Sequence, residues 1–280
     1  MSASLNQAFA AAREKNRAAF IPFVSGGFPD PAACADLIRG LDDLGAEVIE
    51  VGVPFSDPMA DGPVIQASSQ RALDQGMTPG RVLEMVAEVA PRLRAALVLM
   101  TYYNPVLQTG LAGFARLAAS AGVAGVIVPD LPPEEAGPWR RAASDGGLDT
   151  IMMAAPTTPA SRLPVILDSC RGFLYYVSLT GVTGAGLTIA PQSLERLAGI
   201  RAAAGGLPVA VGFGVARPEQ AAALASAADG VIVGSALMRP LLEASSTARG
   251  LEASLSLAGA INASLERDAR PAVHDMGGMA

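Results

Sequence analysis

The sequence predicts a single (β/α)8 barrel, or TIM barrel, with an extra helix before the first strand. Three observations predict it: a length of 280 residues, a hydrophobic fraction of 51%, and eight short apolar runs that alternate with helical patterns. Runs that are apolar on both faces suit parallel strands covered by helices, and eight such units without a linker are typical of this barrel. A doubly wound open sheet is the alternative, but the turn 25–27 lacks the glycine spacing of a dinucleotide site.

The elements follow one another along the chain. Leu5, Phe9 and Ala12 recur at helical spacing and predict the N-terminal helix. The predicted strands are 20–25, 47–53, 96–101, 124–128, 149–153, 173–178, 208–211 and 230–233. The predicted helices are 31–44, 63–93 with a break near Thr78-Pro79-Gly80, 111–121, 133–144, 160–168, 191–203, 217–227 and 251–266. These elements form one barrel domain, 1–268, and leave 269–280 as a flexible C-terminal tail.

The charge of the chain limits its partners. The formal net charge is −6 and the pI is about 4.9, which argues against nucleic acid or an anionic membrane surface as a partner. A phosphate group bound by such a protein is expected to rest mostly on backbone N–H groups and helix ends. No apolar run reaches the roughly 20 residues of a membrane span.

Scarce residue types exclude several kinds of chemistry. Lys15 is the only lysine and His274 the only histidine, so a Schiff-base site, a Ser-His-Asp triad and a zinc site are all disfavoured. Cys34 and Cys170 stand far apart and indicate reduced thiols. The first residues lack the pattern of a secretory signal, so we expect the protein in the cytoplasm.

The second predicted strand and the loop after it carry three carboxylates. Alternation along the strand turns Glu50 into the barrel, where an ionised carboxylate is costly unless it is paired. Glu50 is then either a paired structural residue, or one at a strand edge touching water, or a carboxyl of raised pKa that exchanges protons near neutral pH. Asp57 and Asp61 follow in a proline-rich loop, where the alternatives are a turn or helix-capping role and a catalytic one.

Glycines follow the sixth, seventh and eighth predicted strands. The segment 181–186 favours either a mobile lid, an anion cradle or an ordinary flexible loop. Segments 212–214 and 234–235 each join a strand end to a helix start, and the loops after strands seven and eight are the usual phosphate site of this fold. The alternative for both is a plain tight turn.

A longer motif then indicates a family. The stretch 49–63, IEVGVPFSDPMADGP, closely resembles the signature of the tryptophan synthase α subunit. Further segments resemble other landmarks of that family in the same order: 101–105, 126–135, 181–184, 211–214 and 234–236. Together they cover about residues 5 to 266. Leu179 departs from the pattern, since many members carry arginine there in the lid.

The resemblance implies cleavage of indole-3-glycerol phosphate to indole and glyceraldehyde 3-phosphate, late in tryptophan biosynthesis. It implies Glu50 as acid/base, Asp61 at the indole nitrogen and Tyr175 beside them. The implied substrate-binding residues are Phe23, Ala60, Ile65, Tyr102, Ile127, Thr183, Gly184, Phe213, Gly214, Gly234 and Ser235.

The resemblance also implies a partner. The residues that match places near it are Asp57, Asn104, Asp130 and Pro132. An αββα heterotetramer is expected, with no cofactor in this chain and pyridoxal phosphate in the β subunit. Two alternatives stay open: a stand-alone lyase that releases free indole, and a slow binding subunit that mainly regulates its partner.

Overall fold

The chain folds into a closed barrel of parallel strands, as predicted. The computed structural model describes residues 3–177, 189, 191–212 and 214–267. The strands pair in chain order and β8 closes onto β1, which excludes the open sheet. The strands are Ala19–Ser25 (β1), Val48–Gly52 (β2), Ala96–Met100 (β3), Val123–Ile127 (β4), Asp149–Ala154 (β5), Leu174–Val177 (β6), Val209–Gly212 (β7) and Gly230–Val233 (β8).

Helices follow each strand and cover the outside of the barrel, and one further helix precedes the first strand. They are Leu5–Glu14 (α1), Pro31–Asp43 (α2), Pro63–Asp74 (α3), Pro79–Val89 (α4), Tyr103–Thr109 (α5), Leu111–Ser120 (α6), Gly137–Asp145 (α7), Leu163–Ser169 (α8), Pro191–Ala203 (α9), Pro218–Ala225 (α10), Ser235–Glu243 (α11) and Thr247–Ala263 (α12). Among these described helices, none is long and apolar enough to cross a membrane.

The predicted break in the 63–93 pattern separates α3 from α4. The Thr78 side chain accepts a hydrogen bond from the backbone N–H of Arg81, and Pro79 follows it in the first turn. Proline is well tolerated there because the first N–H groups of a helix have no intrahelical partner. The extents of two helices escaped prediction: α5, which is short and contains Pro105, and α11, which contains Pro240.

The core has two layers, one inside the barrel and one between strands and helices. On β2, Val48 faces the inner layer while Ile49 and Val51 face the outer one, as alternation predicts. Helix α1 lies against the inner layer: Phe9 contacts Phe173 with ring centroids 5.4 Å apart.

Helix α1 is anchored by its own N-terminus. Ser4 and Gln7 form a reciprocal capping box, which satisfies N–H groups at the helix start. The inner layer is filled with apolar side chains and packs against α1. Side chains that can contact a ligand are therefore expected at the carboxyl ends of the strands, where the active sites of this fold lie. The predicted tail 269–280 lies outside the described residues, and so does the predicted lid 179–190 apart from Ile189.

Candidate active site

A cavity of about 460 Å³ opens at the carboxyl ends of the strands. It has the size and the mainly apolar lining with a few polar groups that small-molecule sites show. The cavity brings together nine residues that the sequence singled out: Phe23, Glu50, Ala60, Asp61, Ile65, Tyr175, Gly214, Gly234 and Ser235.

Glu50 is the buried carboxyl of this cavity. It lies on β2 between Phe23 of β1 and Val98 of β3, and only 1% of its surface is exposed. Neither carboxylate oxygen has a hydrogen-bond partner among the described residues, so the arginine pairing considered from sequence is not formed there. Burial, and then the nearby charge of Asp61, raise the pKa of Glu50 to about 8. The side chain is therefore mainly a neutral acid at pH 7.

Asp61 is held by Tyr102, the N-cap residue of the helix that follows β3. The Tyr102 hydroxyl donates to Asp61 Oδ2 at 3.2 Å and accepts from the backbone N–H of Ala60 at 3.0 Å. Burial raises the pKa of the Asp61 carboxyl, and the hydrogen bond from Tyr102 opposes that rise. The N-cap position of α3 belongs to Gly62, so Asp61 does not cap the helix and its carboxylate faces the cavity.

Two glycines make room for the aromatic rings of the site. A Cβ on Gly212 would lie 2.6 Å from the Tyr175 hydroxyl, and a Cβ on Gly52 would lie 2.5 Å from the Phe23 ring. Burial, followed by the charges of Glu50 and Asp61, raises the pKa of Tyr175 well above its usual range, so the phenol stays protonated. Tyr175 faces the inner layer, whereas Tyr176 packs in the outer one.

A candidate anion site lies at the cavity wall beyond the ends of β7 and β8. Gly234 is the N-cap of α11 and Ser235 is its first residue, so free backbone N–H groups and the positive end of the helix dipole point there. Gly214 has a φ of +75°, a backbone conformation that other residues rarely adopt. Thr183, Gly184 and Phe213, which sequence assigned to the same site, lie outside the described residues.

Two of the predicted substrate-binding residues do not line the cavity. Tyr102 acts on it indirectly, through its hydrogen bonds to Asp61 and Ala60, which both line the cavity. Ile127 is fully buried in the inner layer, and Met100, its neighbour in register on β3, lines the cavity instead.

Sequence reasoning also missed several residues that line the cavity. They are Gly62, Met100, Met153, Val177, Val215, Ala216, Ala236 and Arg239. Met100 and Met153 lie at or near strand ends with inward alternation, which is a signal the sequence does contain. Within the described ranges, no group of three or more His, Cys, Asp or Glu side chains could hold a metal ion.

The four residues assigned to a partner surface lie on segments that contact one another. Asp57 and Asn104 are exposed, and the Asp130 carboxylate accepts from the backbone N–H of Tyr103 at 2.9 and 3.2 Å. A groove of about 420 Å³ lies beside Asp130 and Pro132.

Aromatic stacking joins the loop that contains Asp57 to the start of α5. The rings of Phe55 and Tyr102 stack with centroids 5.0 Å apart, so the loop 54–61 rests on the segment that precedes Asn104. Two large apolar side chains are exposed on these segments, Met59 at 82% and Leu107 at 50%. Contact with another chain would remove both side chains from water.

Known proteins resemble the chain over almost its whole length. The family model described as tryptophan synthase alpha chain matches residues 9–266. The tryptophan synthase alpha chain of Geobacter sulfurreducens is 48% identical over 231 residues, which are 82% of this chain and 87% of that one. The alpha chain of Gloeobacter violaceus is 48% identical over 237 residues, 84% of this chain and 86% of that one.

Solved structures give the same result. The structure of Mycobacterium tuberculosis tryptophan synthase contains a chain with a TM-score of 0.85 and 39% identity, covering 96% of this chain and 100% of that one. The alpha subunit from Legionella pneumophila gives a TM-score of 0.83 at 37% identity, covering 93% of this chain and 97% of that one.

Proposed function

We propose that this chain, which belongs to the tryptophan synthase alpha chain family and so to an enzyme of tryptophan biosynthesis, cleaves indole-3-glycerol phosphate to indole and glyceraldehyde 3-phosphate. The reaction is a retro-aldol cleavage and makes the chain a carbon–carbon lyase. The observation that supports the proposal is the burial of the Glu50 carboxyl in an apolar cavity without a hydrogen-bond partner among the described residues, which raises its pKa to about 8.

The first step is protonation of the indole ring at carbon C3. A neutral carboxylic acid is needed there at neutral pH, and the raised pKa keeps Glu50 in that form. Protonation turns the ring into an indoleninium, whose positive charge spreads to the ring nitrogen. The ring thus becomes the electron sink for the later bond cleavage, a role that a lysine Schiff base has in one class of aldolases.

Asp61 stabilises the charged ring. Its carboxylate, oriented by the Tyr102 hydroxyl at 3.2 Å, accepts a hydrogen bond from the ring N–H as the positive charge develops. A fixed carboxylate in a cavity with little water is far more effective than one in solvent. Tyr175 stays a neutral phenol beside both carboxyls and helps to exclude water from Glu50.

The second step breaks the carbon–carbon bond. Glu50, now ionised, accepts the proton of the glycerol hydroxyl on the carbon attached to the ring. The electron pair of that O–H bond forms the carbonyl of the aldehyde, and the pair of the breaking C–C bond returns to the indole ring. Glu50 is then protonated again, so one carboxyl serves both steps.

Product analysis tests this function. Incubation of the chain with indole-3-glycerol phosphate is expected to yield indole and glyceraldehyde 3-phosphate in equal amounts. In heavy water, newly formed indole is expected to carry one deuterium at C3, because the Glu50 proton exchanges with solvent. Indole that carries only hydrogen at C3 would show that the proton comes from the substrate, and the mechanism would be wrong.

The partner is the tryptophan synthase β subunit, which we propose to bind at the face containing Asp57, Asn104, Asp130 and Pro132. We propose an αββα assembly in which the β subunit, not this chain, carries pyridoxal phosphate. The only lysine, Lys15, is exposed at the C-terminal end of α1, the helix packed on the filled interior of the barrel, and it does not line the cavity.

A stand-alone lyase is the alternative function. It would release indole at the same rate whether or not a β subunit is present. The exposed Met59 and Leu107 favour the partnered form, because burying them against another chain removes apolar surface from water. Titration with the β subunit, followed by indole formation and by the mass of the complex, separates the two. A flat titration with no complex would establish the alternative.

A further inference from the structure

Arg239 is a cation in the wall of the cavity that holds Glu50 and Asp61. It lies on α11, four residues after Ser235. Residues four apart share one face of a helix, and helical side chains lean toward the N-terminus of their own helix. Arg239 can therefore reach back toward the anion site at Gly234 and Ser235.

The guanidinium has a second partner in the opposite direction. Arg239 Nη1 lies 3.5 Å from Glu243 Oε1, one turn toward the C-terminus of α11. The two side chains are 57% and 65% exposed. An exposed pair of this kind favours its own formation by only about 1.5- to 5-fold, so a stronger anion can displace the carboxylate.

We propose that Arg239 binds the phosphate of the substrate and that Glu243 competes with the phosphate for the guanidinium. This inference rests on the proposed function, because it names a side chain that recognises the phosphate end of the same substrate. Binding moves the guanidinium from Glu243 to the phosphate, beside the N–H groups of Gly234 and Ser235. Arginine suits this role, since its planar fork can donate two hydrogen bonds to a phosphate.

Arg239 is the cationic side chain among the described residues that line the cavity. The other ionisable groups of the described lining are Glu50, Asp61 and Tyr175, none of which is cationic, and the whole chain has a net charge of −6. A dianionic phosphate enters such a cavity against repulsion unless a cation faces it. Backbone N–H groups supply partial charges only, whereas Arg239 supplies a full one.

Binding of glycerol 3-phosphate, measured by calorimetry, tests the assignment. Arg239→Gln is expected to weaken it by roughly 10-fold or more, because a hydrogen bond to a charged group is lost. Arg239→Lys is expected to recover part of the affinity, since it keeps the charge without the fork. Binding of indole, which lacks a phosphate, is expected to stay unchanged in both variants.

Arg71→Gln is the matched control. Arg71 belongs to α3 and donates to the Leu242 carbonyl on α11 at 3.4 Å, outside the cavity. The Arg71→Gln variant loses one positive charge near α11, as Arg239→Gln does. Its affinity for glycerol 3-phosphate is expected to stay within twofold of the parent. An equal loss in Arg71→Gln and Arg239→Gln would overturn the proposal, because net charge alone would then explain both.

The competition with Glu243 has its own test. Glu243→Gln is expected to tighten glycerol 3-phosphate binding by about 1.5- to 5-fold. The same substitution in the Arg239→Gln background is expected to have no effect. A tightening that persists in that background would overturn the competition, because Glu243 would then act on the phosphate directly.

Steady-state kinetics distinguish this inference from the proposed function. A group that holds the phosphate equally in the ground and transition states changes KM and not kcat. Arg239→Gln is thus expected to raise KM for indole-3-glycerol phosphate roughly 10-fold with kcat within about threefold. A parent chain that makes no indole would refute the proposed function. If the parent is active and Arg239→Gln has the same KM and the same affinity for glycerol 3-phosphate, only the role of Arg239 is refuted. If Arg239→Gln folds poorly, Arg239→Lys and Glu243→Gln provide the same test.

Discussion

Replacing Glu50 by glutamine is expected to stabilise the protein while it removes the proposed catalytic acid. Burial raises the pKa of Glu50 from 4.5 to about 8, so the folded state keeps the proton at pH 7 and the unfolded state loses it. The folded state binds more protons over that range, and the free energy of unfolding therefore falls as pH rises from the unfolded pKa toward the folded one. Glutamine has nearly the same shape and does not ionise, so it escapes this loss.

The size of the effect follows from the two pKa values. Each unit of separation is worth 1.36 kcal/mol, and pH 7 lies 2.5 units above the ordinary value of 4.5. Glu50→Gln is therefore expected to raise the free energy of unfolding by about 3 kcal/mol at pH 7 and by less than about 1 kcal/mol at pH 5. The difference between the two pH values is the diagnostic quantity, because any change in packing contributes equally to both.

Urea unfolding of the parent and the variant at pH 5, 6, 7 and 8 measures this difference. Equal slopes with denaturant are required so that the two free energies can be compared. A variant that is no more stable than the parent at pH 7, or whose advantage does not grow with pH, would mean that Glu50 is ionised and paired in the folded protein. The assignment of Glu50 as a neutral acid would then be wrong.

Three further predictions concern the neighbours of Glu50. Tyr102→Phe removes the donor to Asp61 but keeps the ring against Phe55, and kcat for indole formation is expected to fall roughly 10-fold or more; an unchanged kcat would show that Asp61 needs no orientation. Gly234→Ala, whose Cβ would stand 3.5 Å from Phe23, is expected to fold normally and to weaken glycerol 3-phosphate binding roughly 10-fold in calorimetry, and parental affinity would place the phosphate elsewhere. Gly212→Ala must displace Tyr175 and is expected to lower kcat, whereas Gly199→Ala, with open space around its Cβ, is expected to leave kcat unchanged. Equal kcat values in the two variants would show that the position of Tyr175 does not matter for the reaction.

The barrel could be predicted because its signals are local. Strands covered on both faces need apolar runs, and helices between them need a different period, so the alternation of the two is visible in the sequence. The inward direction of Glu50 follows from the same alternation, counted from Ile49 and Val51. Helices α5 and α11 escaped because Pro105 and Pro240 interrupt patterns that are short already.

The rest of the site depends on contacts between distant segments. The hydrogen bond from Tyr102 to Asp61 joins residues 41 positions apart, and no local sequence pattern predicts it. The clearances at Gly52 and Gly212 exist only once Phe23 and Tyr175 lie across neighbouring strands. Arg239 was missed together with the extent of α11, although its spacing of four from Ser235 was present in the sequence.

The rate of indole formation by Glu50→Gln, with saturating indole-3-glycerol phosphate and the β subunit present, shows whether Glu50 moves the protons of the reaction. General acid–base terms are typically about 100- to 10,000-fold, and Glu50 is proposed to act in both steps. We expect a loss at least that large in a variant that folds, binds glycerol 3-phosphate like the parent and is more stable at pH 7. A rate within about threefold of the parent would mean that the proton comes from another group and that Glu50 is not the catalytic acid.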